Sequence, residues 1–345
     1  MCTLGAWASF VHHVIRSDHM LGKAQEELSQ MLLALYRLSL ESPMDQFQDA
    51  ALQWVRGRLA FDSSMWGTAT HGVSGINIHT IHLHKQPQEM LVAYEALKHL
   101  DTAAAEVARR GSTTLSFNTA SCFAAASQRP LLDYGRRFEQ RNFFITSALN
   151  PDTGFTHWVT LFRASPDAHG TEQERQLLAA IAPHLQQALE HNRILHLQRL
   201  HHPLAPLSGS AIADTRGILH HADPHFEEAL RTEWAHWKPP ALPDVVVRHF
   251  ASGQSRFCGR HRVMSCHPER GLLFLRTRPR CRADDLTPKE LAVARLMAKG
   301  DTHKQVAAEL GRAPATVRNH IQAIYGKLEV NSIAALIEEL RQVDA

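Results

Sequence analysis

The side chains best suited to chemistry lie near the C-terminus. From Arg312 to Lys327 the chain carries Thr316, Arg318, Asn319, Gln322 and Lys327 and no acidic residue. On one helix face, amide and guanidinium groups without carboxylates match the edges of DNA bases. Asn and Gln can bond adenine bidentately, and Arg can bond guanine. Catalysis has no comparable constellation: GxSxG, a phosphate loop and HExxH are all missing. Cys258, His261, Cys266 and His267 suggest zinc at first sight, but neighbouring Cys266 and His267 would point to opposite sides of a strand, and the spacing fits no common zinc module. His82 and His84 share one strand face with His79 opposite, and are read as structural. The expectation is a non-enzyme with no catalytic residue, no metal and no cofactor.

The elements that must position those side chains are three punctuated helices. Thr287, Pro288 and Glu290 form a capping box with proline at the first helical position, and Gly300 stands where that helix should stop. Thr302 and Gln305 start a second, short helix ending at Leu310-Gly311, and Pro314 opens a third that runs to about Leu328. Two helices joined by a tight Gly-containing turn make a helix-turn-helix. At 100° per residue, Val317, Ile321, Ile324 and Leu328 form the buried stripe of the third helix. Ala315, Asn319, Gln322, Ala323 and Gly326 face outward, with Arg318 on the shoulder and Thr316 and Lys327 toward the other flank.

The segment resembles the DNA-binding domain of the LuxR/FixJ family of transcription regulators. It carries L-T-x-x-E from Leu286, a mid-domain L-G at Leu310-Gly311, and T-V-R-N-H-x-x-x-I-Y-x-K-L from Thr316 to Leu328. The resemblance implies that Arg318, Asn319 and Gln322 contact bases or the groove, that Thr316 and Lys327 contact phosphates, and that a fourth helix from about Ser332 to Leu340 is a dimerisation face. The implied partners are double-stranded promoter or operator DNA, a second copy of the chain in a homodimer, and RNA polymerase. Two positions depart from the family pattern: Ala313 stands where Ser or Thr is common, and Gly326 where a basic residue is common.

The remaining sequence must supply control. Two amphipathic helical patterns open the chain, over 21–40 and again from Asp45 to Leu59. A strand pattern runs from Ile76 to His84, helical material from Pro87 to Arg109, and a hairpin links Asn142–Leu149 to Phe155–Ala164 through a turn at Asn150–Gly154. A long helix starts at Thr171, capped with Glu174, and runs toward Leu200. Its Leu178, Ile181, Leu185, Ala188, Asn192 and Leu195 read either as a coiled-coil seam or as a stripe covering the module's own sheet, and Pro183 should bend it. This organisation resembles a GAF-type sensory module. After a linker from His201 to Ser210, the order strand, Asp214–Gly217 turn, strand, then helix near Asp223–Phe226 resembles a PAS domain. Trp54, Phe61, Trp66, Phe144 and Trp158 are candidates to line a pocket for an unidentified small molecule.

The predicted fold class is therefore α+β and multidomain, with antiparallel-sheet GAF-like and PAS-like modules before an all-α four-helix C-terminal domain. The segments are 1–41 (N-terminal helices, with Met20 and Met31 as alternative starts), 42–200 (GAF-like), 201–282 (PAS-like with basic linker) and 283–345 (helix-turn-helix). The size of 345 residues agrees with several domains. Five cysteines without a CxxC, no basic leader and no apolar run of membrane length predict a cytoplasmic protein with no membrane contact. Net charge is only +3, but Arg256, Arg260, Arg262, Arg270, Arg276, Arg278, Arg280 and Arg282 crowd one stretch against a single Glu269. That band is either an exposed strand pair with a solvated linker or a phosphate-backbone contact beside the DNA reader. The alternative function is a ligand-binding or redox-sensing GAF-type protein, using Cys122 or Cys258, whose tail makes protein contacts.

Overall fold

The computed structural model describes residues 26–72, 75–150, 154–200 and 207–344. The alternative starts lie partly outside this range, as do the tip of the 150–154 turn and the His201–Pro203 linker. The chain divides into two compact units, Met1–His196 and Leu197–Ala345.

The first unit opens with α1 (26–41) and α2 (Met44–Arg56), then β1 (Ser63–Gly72) and β2 (Gly75–His84). Helices α3 (Glu89–Glu95) and α4 (Thr102–Arg110) precede β3 (Thr113–Asn118), and α5 (Thr119–Cys122) and α6 (Arg129–Arg137) precede β4 (Asn142–Leu149), β5 (Thr156–Arg163) and α7 (Glu172–Arg199). The sheet is wholly antiparallel in the order β2-β1-β5-β4-β3. Period-two alternation assigns its two faces. Trp66, Phe144, Val159 and Leu161 pack on one side against Phe47 of α2 and Leu178 of α7, whereas Phe143 and Phe162 face the other side with Ala103, Phe123 and Leu131.

The α7 stripe resolves the two readings of that helix. Leu178, Ile181, Leu185 and Ala188 are fully buried in this unit's own core, so they are not an open coiled-coil seam. Asn192 is buried too, and its side-chain amide donates to the carbonyls of Ser39 and Ser42, each at 2.9 Å. The Thr171–Glu174 capping box forms, and the helix continues through Pro183.

Strand β1 was not apparent in the sequence. Its SSMWGTATHG run has few β-branched apolar residues, and Gly67 interrupts it. The glycine is required by packing: a Cβ there would lie 2.2 Å from the Thr80 carbonyl of β2.

In the second unit, β6 (Gly209–Asp214), β7 (Leu219–Ala222), α8 (Pro224–Glu233), α9 (Asp244–Ala251), β8 (Arg256–Cys258), β9 (Arg262–Glu269) and β10 (Leu272–Pro279) build a sheet in the order β7-β6-β10-β9-β8. Relative to the chain this is the same second-first-fifth-fourth-third order as in the first sheet. Gly209 and Ser210, expected in a linker, instead begin β6, held by Asp223, whose Oδ2 accepts from the Ser210 amide and hydroxyl at 2.6 Å each. The all-α end comprises α10 (Pro288–Ala298), α11 (His303–Glu309), α12 (Pro314–Leu328) and α13 (Ile333–Asp344). The fold is thus α+β: two five-stranded antiparallel sheets and a C-terminal helical domain. Among the described residues no helix is long and apolar enough to cross a membrane.

Candidate nucleic-acid interface and an apolar cavity

The helix-turn-helix is built by its punctuation. Thr287 and Glu290 satisfy each other's backbone amides at the start of α10, as do Thr302 and Gln305 at the start of α11. Gly300 and Gly311 take positive φ, +98° and +60°, where the chain turns between helices. At the start of α12 the N-cap Ala313 has extended dihedrals but makes no side-chain cap bond.

Val317, Ile324 and Leu328 are buried, and Ile321 packs against the same core. Ala315, Thr316, Arg318, Asn319, Gln322, Ala323, Gly326 and Lys327 are exposed. Lys327 is additionally tied inward, because its Nζ donates to Glu290 Oε2 at 2.7 Å. That ammonium, first, and the Thr287 bonds hold the Glu290 carboxyl down at about 2. An ammonium carries three donors, so the exposed side of Lys327 keeps capacity for a second acceptor.

The arginine band is arranged differently from a free phosphate-binding stripe. Arg256 and Arg278 pair with Asp284, Arg280 with Asp285 and Arg282 with Glu329. At least four of its eight guanidinium groups therefore face carboxylates of the same unit, and Arg262 Nη1 donates to the Leu207 carbonyl at 3.2 Å.

The first unit contains a cavity of about 130 Å3 between its sheet and α3 to α6. Met65, Ile78, Ile81 and Phe143 are among its walls, and among the described residues no basic side chain lines it. A polar corner is formed by Tyr94, whose hydroxyl donates to Asp101 Oδ2 at 2.8 Å, while Asp101 Oδ1 caps α4 by accepting from the Ala104 amide at 2.9 Å. Burial pushes the Asp101 carboxyl up, and burial likewise pushes the Tyr94 and Tyr134 phenols up. The corner thus favours neutral groups.

Of the five aromatic pocket candidates, only Trp158 lines this cavity. Phe61, Trp66 and Phe144 are buried in the core on the opposite face of the sheet, and Trp54 packs against that core. Tyr94, Asp101, Tyr134 and Phe143 were missed. Phe143-Phe144 did signal one ring on each face, but the sequence holds no mark of which face is open.

Residues 284–340 match the family model described as bacterial regulatory proteins, luxR family. They form a LuxR-family helix-turn-helix domain, and the chain that carries it is a DNA-binding regulator of transcription. No curated protein sequence matches the chain. Among solved structures, Escherichia coli SdiA is 13% identical, with 91% of this chain and 97% of that chain covered at a TM-score of 0.37. The N-acylhomoserine-lactone-dependent LuxR family factor CepR2 from Burkholderia cenocepacia is 16% identical over 46% of this chain and 94% of its own, at 0.36. The phycoerythrobilin-bound GAF domain of a cyanobacterial phytochrome is 14% identical over 50% and 97%, at 0.33.

Proposed function

We propose that the protein binds promoter DNA sequence-specifically as a homodimer and that a small molecule in the first unit's cavity controls this binding. The observation that carries the DNA reading is the exposed, carboxylate-free face of α12. Asn319, Gln322 and Arg318 are the base-reading residues, and Thr316 and Lys327 hold phosphates. The dimer presents two such helices to a palindromic site, with α13 as the pairing face. Leu178, Ile181, Leu185 and Ala188 of α7 are buried in their own unit and are not available to the pairing.

The ligand of this reading is uncharged and mainly apolar. Among the described residues the cavity has no basic side chain to offer an anion a counter-charge, and burial disfavours charge at Asp101, whose two oxygens already accept from the Tyr94 hydroxyl and the Ala104 amide.

Fluorescence anisotropy of the full chain against promoter fragments tests the DNA reading. Binding that weakens steeply with salt is expected; absent or salt-independent binding overturns it and favours a tail used for protein contacts. Native mass spectrometry of the purified chain tests the ligand reading. A bound mass that is released on denaturation and proves uncharged is expected, and an anionic one overturns it.

A further inference from the structure

The segment joining the second sheet to the helix-turn-helix is pinned on both sides. Ala283 and Leu286 are buried in the helical core with Leu336 and Leu340. Between them Asp284 turns the other way, and its side chain has 0% exposure. Arg278 of β10 grips it with two bonds, Nη1 to Oδ2 at 2.7 Å and Nη2 to Oδ1 at 2.5 Å, and Arg256 of β8 adds a third to Oδ1. The Cys281 amide donates to Oδ2 at 2.8 Å. Two steps before Asp284, Arg282 reaches Glu329 at 2.8 Å, just past the last turn of α12.

We propose that Asp284 is a clasp: gripped by Arg256 of the edge strand β8 and Arg278 of the central strand β10, it locks the helix-turn-helix to the preceding sheet, so that sheet and recognition helix reorient as one body. A carboxylate buried with two guanidinium groups and an amide has its acceptor sites filled, and removing its charge leaves two cations facing each other in a poorly solvated place. The clasp leaves the outer face of α12 exposed. It therefore governs how the recognition helix is aimed, not whether it is covered. Any displacement of β8 or β10 is transmitted to α12 through a fixed lever rather than lost in a flexible linker.

The neighbouring acid supplies the contrast. Asp285 pairs with Arg280 at the surface, its side chain 54% exposed, where an ion pair contributes little.

The test is made on the full chain and does not depend on DNA binding. Nitrogen-15 relaxation should give one rotational correlation time for sheet and α10–α13 amides in the native chain. In Asp284→Asn the α10–α13 amides should tumble faster than the sheet, and trypsin should cut at Arg280 or Arg282 at least about tenfold faster. The double variant Arg256→Gln/Arg278→Gln should do the same from the other side, which covers the case in which Asp284→Asn disturbs the helical fold itself. Asp285→Asn should behave as the native chain. Common tumbling with native trypsin rates in both Asp284→Asn and the double variant overturns the proposal, as does equal loosening by Asp285→Asn.

Discussion

Lys327 Nζ lies 2.7 Å from Glu290 Oε2, so the last turn of α12 is bonded to the first turn of α10. The acidic partner is nearly buried, and the lysine is 40% exposed at its side chain. One ion pair thus closes the helical domain, while the same lysine stands at the edge of the exposed face.

Glu290→Gln isolates the structural half of that relationship. Gln keeps the capping box with Thr287, so the loss is the ion pair alone, about 1–2 kcal/mol once solvent screening of the lysine is allowed for. The carboxyl is lowered from 4.5 to about 2 in the fold. Its contribution is therefore complete above about pH 4.5 and vanishes as pH falls toward 2. Urea melts of the two proteins at a series of pH values should differ at pH 7 and converge near pH 2; a constant difference would refute the pairing.

Lys327→Met and Asn319→Ala separate phosphate holding from base reading. Lys327→Met should weaken every DNA sequence alike and lower the salt slope by about one. Asn319→Ala should cost about 1–3 kcal/mol on the preferred sequence and flatten the preference among sequences. Glu290→Gln releases the ammonium, and its DNA affinity should equal or exceed that of the native chain. Competition binding with single-base variants of the site decides, and identical specificity profiles for the two variants would contradict the assignment.

Two departures from the usual helix punctuation can be repaired. Ala313 already has N-cap dihedrals, −70° and 140°, but no side-chain acceptor, so Ala313→Ser should add about 1 kcal/mol. A Cβ on Gly326 would meet nothing within 4 Å, so Gly326→Ala should add about 0.5–1 kcal/mol by helix propensity. The sites are far apart along α12, and the gains should sum in denaturant melts. A destabilised Gly326→Ala would mean that this face is closed rather than open.

His157 gives the first unit its own acid sensitivity. Burial, and secondarily the Arg193 charge, lowers its imidazole from 6.5 to about 4. The neutral ring is favoured in the fold, so stability is full above about pH 6.5 and declines as pH falls toward 4. Replacement by Phe should abolish that decline between pH 6.5 and 4, followed by tryptophan fluorescence of thermal unfolding. An unchanged decline would place its origin in another group.

What the sequence revealed followed local signals. The caps Thr287, Thr302 and Thr171 and the stripe Val317–Leu328 are decided within one or two helical turns, and each is found where the spacing puts it. β1 was hidden because its place depends on β2 and β5, its partners in the sheet, not on its own composition. The arginine band stayed open between two readings in the sequence because its partners, Asp284, Asp285 and Glu329, are set by tertiary folding. The cavity was illegible for a related reason: alternation shows that Phe143 and Phe144 face apart, while only the packing of α2 and α7 decides which face is filled.

Filling that cavity should uncouple ligand from fold. Ala104 lines it, and its amide is capped by Asp101. Ala104→Leu adds apolar volume where there is space, at little cost in helix propensity relative to alanine, and should stabilise the ligand-free unit by about 0.5–2 kcal/mol. The same bulk removes room beside the Tyr94–Asp101 corner, so a ligand mass seen with the native chain in native mass spectrometry should be lost. Asp101→Asn is the complement. Asn keeps the N-cap through Oδ1, and its Nδ2 can donate to the Tyr94 hydroxyl, which turns from donor to acceptor, so stability should stay within about 1 kcal/mol of native, and an uncharged ligand should remain bound. Loss of ligand in Asp101→Asn with retention in Ala104→Leu would mean that the molecule binds through the carboxylate charge outside the apolar space, against the uncharged-ligand reading.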